Sequence, residues 1–167
     1  ANGPLIEICR KYHWQFMIVL QDKSLKTVWE TIYAIKKIDG HEQKEQYYGD
    51  RKQNFWWVND VEYRYGDNLK KKQTLHVVVC EESWEDIDKN TLEVIEKGSK
   101  HAWISSEAVT QKNVHHLCNL AGRYRWSIEN GILVEKHQGY SCTHCFSYDW
   151  NAMKGFHYLM RIAHLLN

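Results

Sequence analysis

Phe55-Trp56-Trp57-Val58, Val61-Glu62-Tyr63-Arg64-Tyr65, the turn-like Gly66-Asp67-Asn68 and the run Thr74 to Cys80 decide the fold of this chain. Aromatic and β-branched residues dominate both runs, and the glycine and asparagine between them are the residue types that reverse a chain. Two or three antiparallel strands are therefore predicted in the block that begins at His41. The acidic, weakly patterned Glu81 to Lys100 reads as a short helix or a loop, and His101 to Ser105 as a further strand.

Upstream of that block the pattern changes period. Pro4 suits the first turn of a helix, and Leu5, Ile8 and Cys9 continue at helical spacing through Tyr12. Trp14 to Gln21 is an apolar run of strand length closed by Asp22, with Phe16 to Leu20 as its buried part. Ser24 is then placed to cap a second helix in which Leu25, Val28, Trp29, Ile32 and Ile35 recur at three and four residues, ending near Asp39-Gly40. Helix, strand and helix in that order are a fragment of an α/β layer.

The last third reads as helical. Thr110 is placed to cap a helix carrying Val114, Leu117 and Cys118 that runs through Gly122 toward Lys136. Asp149 caps a last amphipathic helix whose stripe, Trp150, Met153, Phe156, Leu159, Met160 and Ala163, is expected to face a core. One domain of mixed α+β class is the simplest account. No repeat or low-complexity segment interrupts it, and with one proline it offers no obvious linker.

Composition narrows the function classes. With 43% apolar residues and eight tryptophans in 167 residues, the chain can build a sizeable core, which excludes disorder. The 22 Lys and Arg against 21 Asp and Glu give no bulk attraction to nucleic acid, so any DNA site is a local patch. Lys36-Lys37 and Lys70-Lys71-Lys72 read as solvated surface. The stretch Arg123-Tyr124-Arg125-Trp126, extended to Lys136, is the more informative cluster. No apolar run approaches the roughly 20 residues that span a bilayer, and nothing reads as a signal peptide. Five unpatterned cysteines fit a reducing compartment, so a cytoplasmic protein is expected. The opening Ala1-Asn2-Gly3-Pro4 lacks an initiator methionine and enters a helical pattern at once, as a piece of something longer would.

The residues that carry chemistry lie near the end. Arg125, Glu129 and Lys136 are four and seven residues apart, which puts them in a narrow arc of one helix face. Trp126, Ile132 and Leu133 share that half of the helix, while Ser127, Gly131 and Glu135 take the other, so the charged line points into protein or ligand. A carboxylate between cations at this spacing is either a structural ion pair or a ligand for a hard cation such as Mg²⁺ or Mn²⁺ with phosphates on the flanking cations. Geometry leaves both open.

Gly122-Arg123-Tyr124-Arg125-Trp126-Ser127-Ile128-Glu129-Asn130, followed by Lys136, resembles the signature around the catalytic glutamate of insertion-sequence transposases of the IS4 type: tyrosine, two residues, arginine, three residues, glutamate, six residues, lysine. Arginine, glutamate and lysine match in type and spacing. Gly122 stands where the signature has tyrosine, and Tyr124 comes two residues later. The strand His101 to Ser106 and the segment Phe146 to Gly155 extend the similarity on either side. Ala1-Asn2-Gly3-Pro4 looks like the stretch that follows the second catalytic aspartate in such enzymes.

The resemblance implies the C-terminal portion, residues 1–167, of an RNase H-like DDE catalytic domain. A β-rich insertion would occupy about 41–100, with Phe55 to Cys80 within it, and the helical part with the catalytic glutamate about 107–167. It implies two-metal phosphoryl transfer on transposon-end DNA with Mg²⁺ or Mn²⁺, in which Glu129 is catalytic and a metal ligand, while Arg125 and Lys136, with Arg123 and Tyr124, bind DNA. It also implies a homodimer in the synaptic complex. Both aspartates lie upstream of this stretch, so the chain alone is expected to be inactive. Asp22 and Asp60 are conceivable substitutes that read more simply as strand-end or turn residues. An exposed edge beside Phe16 to Leu20 would invite pairing with another chain.

Two other readings compete. Cys142 and Cys145, with His137 and His144 nearby, suggest a zinc-dependent nucleic-acid-binding module, although a second cysteine pair is absent. A metal-free binding module, or a remnant that retains only packing, is the other. Trp56-Trp57 and Tyr63-Arg64-Tyr65 could stack on unpaired bases, and core or cross-strand pairing is the plainer role for them.

Overall fold

The residues Leu75 to Cys80 are buried without exception, because their strand has neighbours on both edges and packing on both faces. That strand, β4 (Lys71–Ile87), is the middle of a five-stranded sheet. It pairs with β3 (Arg51–Tyr65) on one side and β5 (Val94–Ser105) on the other. β2 (Glu42–Tyr48) lies outside β3, and β1 (Met17–Val19) outside β5. The order is β1-β5-β4-β3-β2, and every pair is antiparallel. This computed structural model describes residues 3–124, 127, 130, 131, 133, 137 and 147–166. Two compact units divide the chain, Ala1–Gly122 and Arg123–Asn167.

In the first unit, α1 (Gly3–Lys11) and α2 (Lys26–Lys37) cover one face of the sheet. Ile6, Val28, Trp29 and Ile32 from these helices are buried against Trp56, Val58, Val77, Val79 and Ile104. On the opposite face Phe55, Trp57, Val78, Cys80 and Trp103 are covered by Val109, Val114 and Cys118 from the segment that follows β5. Each large side chain taken fully out of water contributes about 1.5–3 kcal/mol, so these two layers hold the sheet.

A bulge in β3 keeps the first of these layers continuous. Val58 pairs with Val77 and Val61 with Leu75, so β3 spends one residue more than β4 over this interval. Without it Val61 and Val58 would face opposite sides; with it both sit in the helix-covered core. Asp60 takes up the irregularity with a φ of 59°. Asn59, released from the alternation, donates from Nδ2 to the Val109 carbonyl at 2.8 Å and accepts from the Val109 N–H at 2.9 Å.

Several sequence expectations change here. Glu81 to Lys100 is neither helix nor loop but the outer half of the β4–β5 hairpin, paired from Glu81 with Lys100 to Ile87 with Val94. Its acidic residues fall largely on exposed positions, so their charge does not oppose a strand. Asp88 closes the turn, its Oδ1 accepting from the Asn90 and Thr91 N–H groups. Ser24 does not cap α2. Its hydroxyl donates to the Gln21 carbonyl at 2.9 Å, and Leu25, at φ 46°, occupies the capping position instead. The predicted strand Trp14 to Gln21 shortens to three residues because only Met17 to Val19 finds a ladder partner.

At the C-terminal end of the first unit Thr110 does accept from the Asn113 N–H at 3.3 Å, but the helix it opens passes into a π-helical segment, His116–Ala121. In the second unit Asp149 caps α3 (Trp150–Leu166), accepting the Ala152 N–H at 2.8 Å. The expected core stripe of α3 is only partly realised: Met160 is buried, while Trp150 and Leu159 are each 70% exposed. These two stand nine residues apart, about 180° around the helix, which is wider than one packed face can cover.

Candidate functional site

Of the residues that the signature singles out, Arg125, Glu129 and Lys136 lie outside the described residues, as does Trp126. Arg123 and Tyr124 are described, in a short 3₁₀ turn, Gly122–Tyr124. Arg123 is half-buried there, and Tyr124 is exposed. Of the zinc candidates, His137 is exposed, and Cys142, His144 and Cys145 fall outside the described residues. Asp22 is an exposed partner of Lys100 at 3.6 Å, and Asp60 is the exposed bulge residue. Among the described residues no three His, Cys, Asp or Glu side chains gather into a metal-binding group.

The basic clusters behave as solvated surface whose charges are largely matched. Lys71 meets Glu7 at 3.1 Å, Lys72 meets Glu62 at 3.5 Å, and Arg64 donates to Glu62 at 2.7 Å. The hydrogen bond from Lys71 is the largest influence holding the Glu7 carboxyl below its usual range. Lys36 lies 4.1 Å from the centre of the Trp56 ring and 3.9 Å from Glu81. The aromatic pairs take the packing role as well: Trp56 and Trp57 are buried, and Tyr63 stacks on Tyr65 with ring centres 5.6 Å apart.

What the sequence reading missed is a buried polar cluster on the sheet face that the π-helical segment covers. β3, β4 and β5 bring Gln53, Glu82 and Ser99 into one cross-strand row. Glu82 accepts from Gln53 Nε2 on one oxygen, and on the other from Arg51 at 3.2 Å and Ser99 Oγ at 3.1 Å. Gln53 also donates to Asn119 Oδ1 at 3.0 Å and accepts from Asn119 Nδ2 at 2.8 Å and Gln46 Nε2 at 3.1 Å. Asn119 and Gln46 each present an amide N–H₂ to His115 Nδ1, at 3.1 and 2.9 Å, so this ring nitrogen is the acceptor and the ring proton sits on Nε2.

Electrostatics set the direction of every bond in the cluster. An ionised carboxylate only accepts, so Glu82 turns the nitrogen of Gln53 toward itself and leaves the oxygen for Asn119 and Gln46. Arg51 supplies the countercharge from the half-buried rim and lies 4.2 Å from the centre of the Trp84 ring. His101 Nε2 comes within 3.7 Å of Glu82, yet burial first, and then the Arg51 cation, push the imidazole below its ordinary value. Ser99 bridges the ring and the carboxylate, its Oγ 3.1 Å from His101 Nε2 and donating to Glu82 at 3.1 Å.

The signal for this cluster was present in the strand alternation. Val78, Cys80 and Glu82 share one face of β4, and Gln53, Phe55 and Trp57 share one face of β3, so the period of two carries both polar residues inward. Asn119 is the crossing point: it is buried, belongs to the π-helical segment, and fastens that segment to the sheet four residues before Arg123. The row holds in place the end of the first unit, from which the chain continues into the signature.

Comparison of this chain with protein-family models, with curated proteins and with solved structures finds no match.

Proposed function

We propose that this chain is the C-terminal part of the catalytic domain of an IS4-type DDE transposase, and that the complete protein cleaves and joins DNA at insertion-sequence ends. The observation that carries the reading is the spacing of Arg125, Glu129 and Lys136 in the sequence. The element order supports it: helix, strand and helix, then an antiparallel β-rich stretch, then the segment with the signature, as expected of an RNase H-like domain with a β-rich insertion before its glutamate.

Two Mg²⁺ or Mn²⁺ ions would supply the activation of a nucleophile and the stabilisation of a leaving oxygen. Among the described residues no donors make such a site. Glu129 brings one carboxylate, and the described residues add no group of three ligands. On this reading two further carboxylates would complete the set in the whole catalytic domain. In the complete domain Glu129 is one ligand, and Arg125 and Lys136, with Arg123 and Tyr124 beside them, bind backbone phosphates and fix the scissile bond without reading sequence. Two transposon ends held together call for a homodimer, and the DNA substrate for the cytoplasm. No helix of the described residues is long and apolar enough to cross a membrane.

The test is metal-dependent nicking of transposon-end DNA by the complete catalytic domain, wild type against Glu129→Gln. Nicking abolished by the substitution is the expected result. Nicking that survives it reduces Glu129 to an ion-pair residue and rejects the reading.

A further inference from the structure

The turn between α1 and β1, Arg10-Lys11-Tyr12-His13-Trp14-Gln15, concentrates cations and exposed aromatic rings with no acidic residue among them. Tyr12 is 55% and Trp14 59% exposed, and their rings stack with centres 5.5 Å apart and planes inclined by 29°. The backbone holds this pair out rigidly. Trp14 N–H donates to the Cys9 carbonyl at 2.9 Å and His13 N–H to the Arg10 carbonyl at 3.2 Å, which closes the end of α1 around His13. His13 sits at φ 55°, left-handed backbone that is disfavoured for any residue with a Cβ. Arg10 locks the turn to the sheet through the Ser106 and Thr74 carbonyls, each at 3.1 Å.

The surroundings say what such a pair can receive. The exposed neighbours are Lys11, His13 and Gln15 in the turn itself, with Ile8 and Leu5 on the preceding turns of α1, so the rings have cations on one side and a short apolar strip on the other. Lys11 Nζ stands over the Tyr12 ring, 5.5 Å from its centre, and carries a charge that a phosphate can meet. Beside Trp14 is a shallow depression of about 320 Å³ lined by Arg10, His13, Gln15, Ser106 and Glu107. The exposed Glu107 carboxylate in that lining, which accepts from Asn113 on one oxygen, repels a phosphate and can accept from the amino group of a base.

We propose that the Tyr12–Trp14 stack is a platform for an unpaired DNA base, with the base against Trp14 and its phosphate toward Lys11 and His13. The choice of DNA rests on the transposase reading; the stacking chemistry does not. Flat rings flanked by cations bind single strands because every base has a π-face, while a duplex keeps its faces covered.

Labelled single-stranded DNA, the matching duplex and RNA of the same sequence would be titrated into the 167-residue chain and its Trp14→Ala, Trp14→Phe and Tyr12→Ala variants, with circular dichroism to verify folding. Trp14→Ala should weaken single-stranded DNA binding roughly 5- to 150-fold, with partial recovery in Trp14→Phe and no change on duplex. No single-strand binding by the wild type, no loss in Trp14→Ala, an equal loss on duplex, or tighter binding of the RNA would each overturn the proposal. The two readings fail separately. Glu129-dependent nicking by the complete domain with Trp14→Ala affinity unchanged refutes the base platform alone. Trp14-dependent binding without such nicking refutes the transposase alone.

Discussion

Replacing Gln53 by leucine tests the polar cluster that fastens the π-helical segment to the sheet. Leucine keeps nearly the same volume, so the loss is one of hydrogen bonding and not of packing. Gln53 is fully buried and makes four bonds, two with Asn119, one from Gln46 and one to the Glu82 carboxylate. Losing a bond to a buried charge removes about 1.5–3 kcal/mol, and loss of the two bonds between Gln53 and the buried Asn119 amide, which keeps its contact with His115, adds about 1–3 kcal/mol. Arg51 and Ser99 still hold the other oxygen of Glu82, which limits the total to about 3–5 kcal/mol. With a urea dependence of about 2 kcal/mol per molar, the unfolding midpoint read by tryptophan fluorescence should fall by about 2 M at unchanged slope. A double-mutant cycle sharpens the test. Removing Glu82 as well, as Gln53→Leu with Glu82→Leu, takes away the carboxylate that Gln53 bonds, so the pair should lose less than the sum of its singles. A loss under about 1 kcal/mol, or strict additivity, would refute the account of the cluster.

Three further outcomes are expected. His76 and His101 are both held below their ordinary value, chiefly by burial, with Arg51 adding to the effect on His101 and Asp60 opposing it on His76. The unfolded chain therefore binds more protons than the folded one as pH drops below about 6.5, and the stability present above that pH is lost as it falls through the folded values. Melting temperatures between pH 7.5 and 5.5, above the carboxylate range, should fall toward acid, and less steeply in His101→Gln; a flat profile contradicts the assignment. Burial pushes the Cys118 thiol up to about 12, so in native protein it should resist alkylation and react only on unfolding, as mass spectrometry of the labelled peptide will show. Gly122 sits against the Trp103 indole, where a Cβ would come within 2.8 Å of Nε1, so Gly122→Ala should destabilise the first unit by about 1–3 kcal/mol in the same urea assay. A neutral result there would mean that the indole moves aside.

Of the two or three strands expected between His41 and Cys80, β3 and β4 were readable because β-branched and aromatic residues alternate or run together there and a turn separates them; β2, polar from Glu42 to Tyr48, carried no such signal. Both N-terminal helices were readable from spacing at three and four residues. Glu81 to Lys100 was misjudged for a physical reason: its charges describe the solvent, and a strand half exposed at the outer end of a hairpin takes its stability from its ladder partner, which local composition does not reveal. The Ser24 cap failed in a similar way, since a serine hydroxyl can satisfy a turn carbonyl as easily as a helix N–H, and the Gln21 carbonyl was nearer.

The sequence by itself determined the mixed class of the fold, the buried face of α2 and the Asp149 cap, because each depends on residues a few positions apart; for α1 it settled the helix but not the face, since Ile6 with Cys9 is buried while Leu5 and Ile8 are exposed. Only the tertiary structure decided the rest. The parity change at Asn59 and Asp60, the row from Gln53 through Glu82 to Ser99 and its closure by Asn119 join residues as much as 66 positions apart. The same holds for exposure. Trp56 with Trp57 and Tyr12 with Trp14 look alike as aromatic pairs in the sequence, yet the first is buried on the two faces of the sheet, Trp56 under the helices and Trp57 under the segment after β5, and the second stands in solvent. Which pair is free to meet a ligand is fixed by what packs against it, and that is settled only when strands distant in the chain lie side by side.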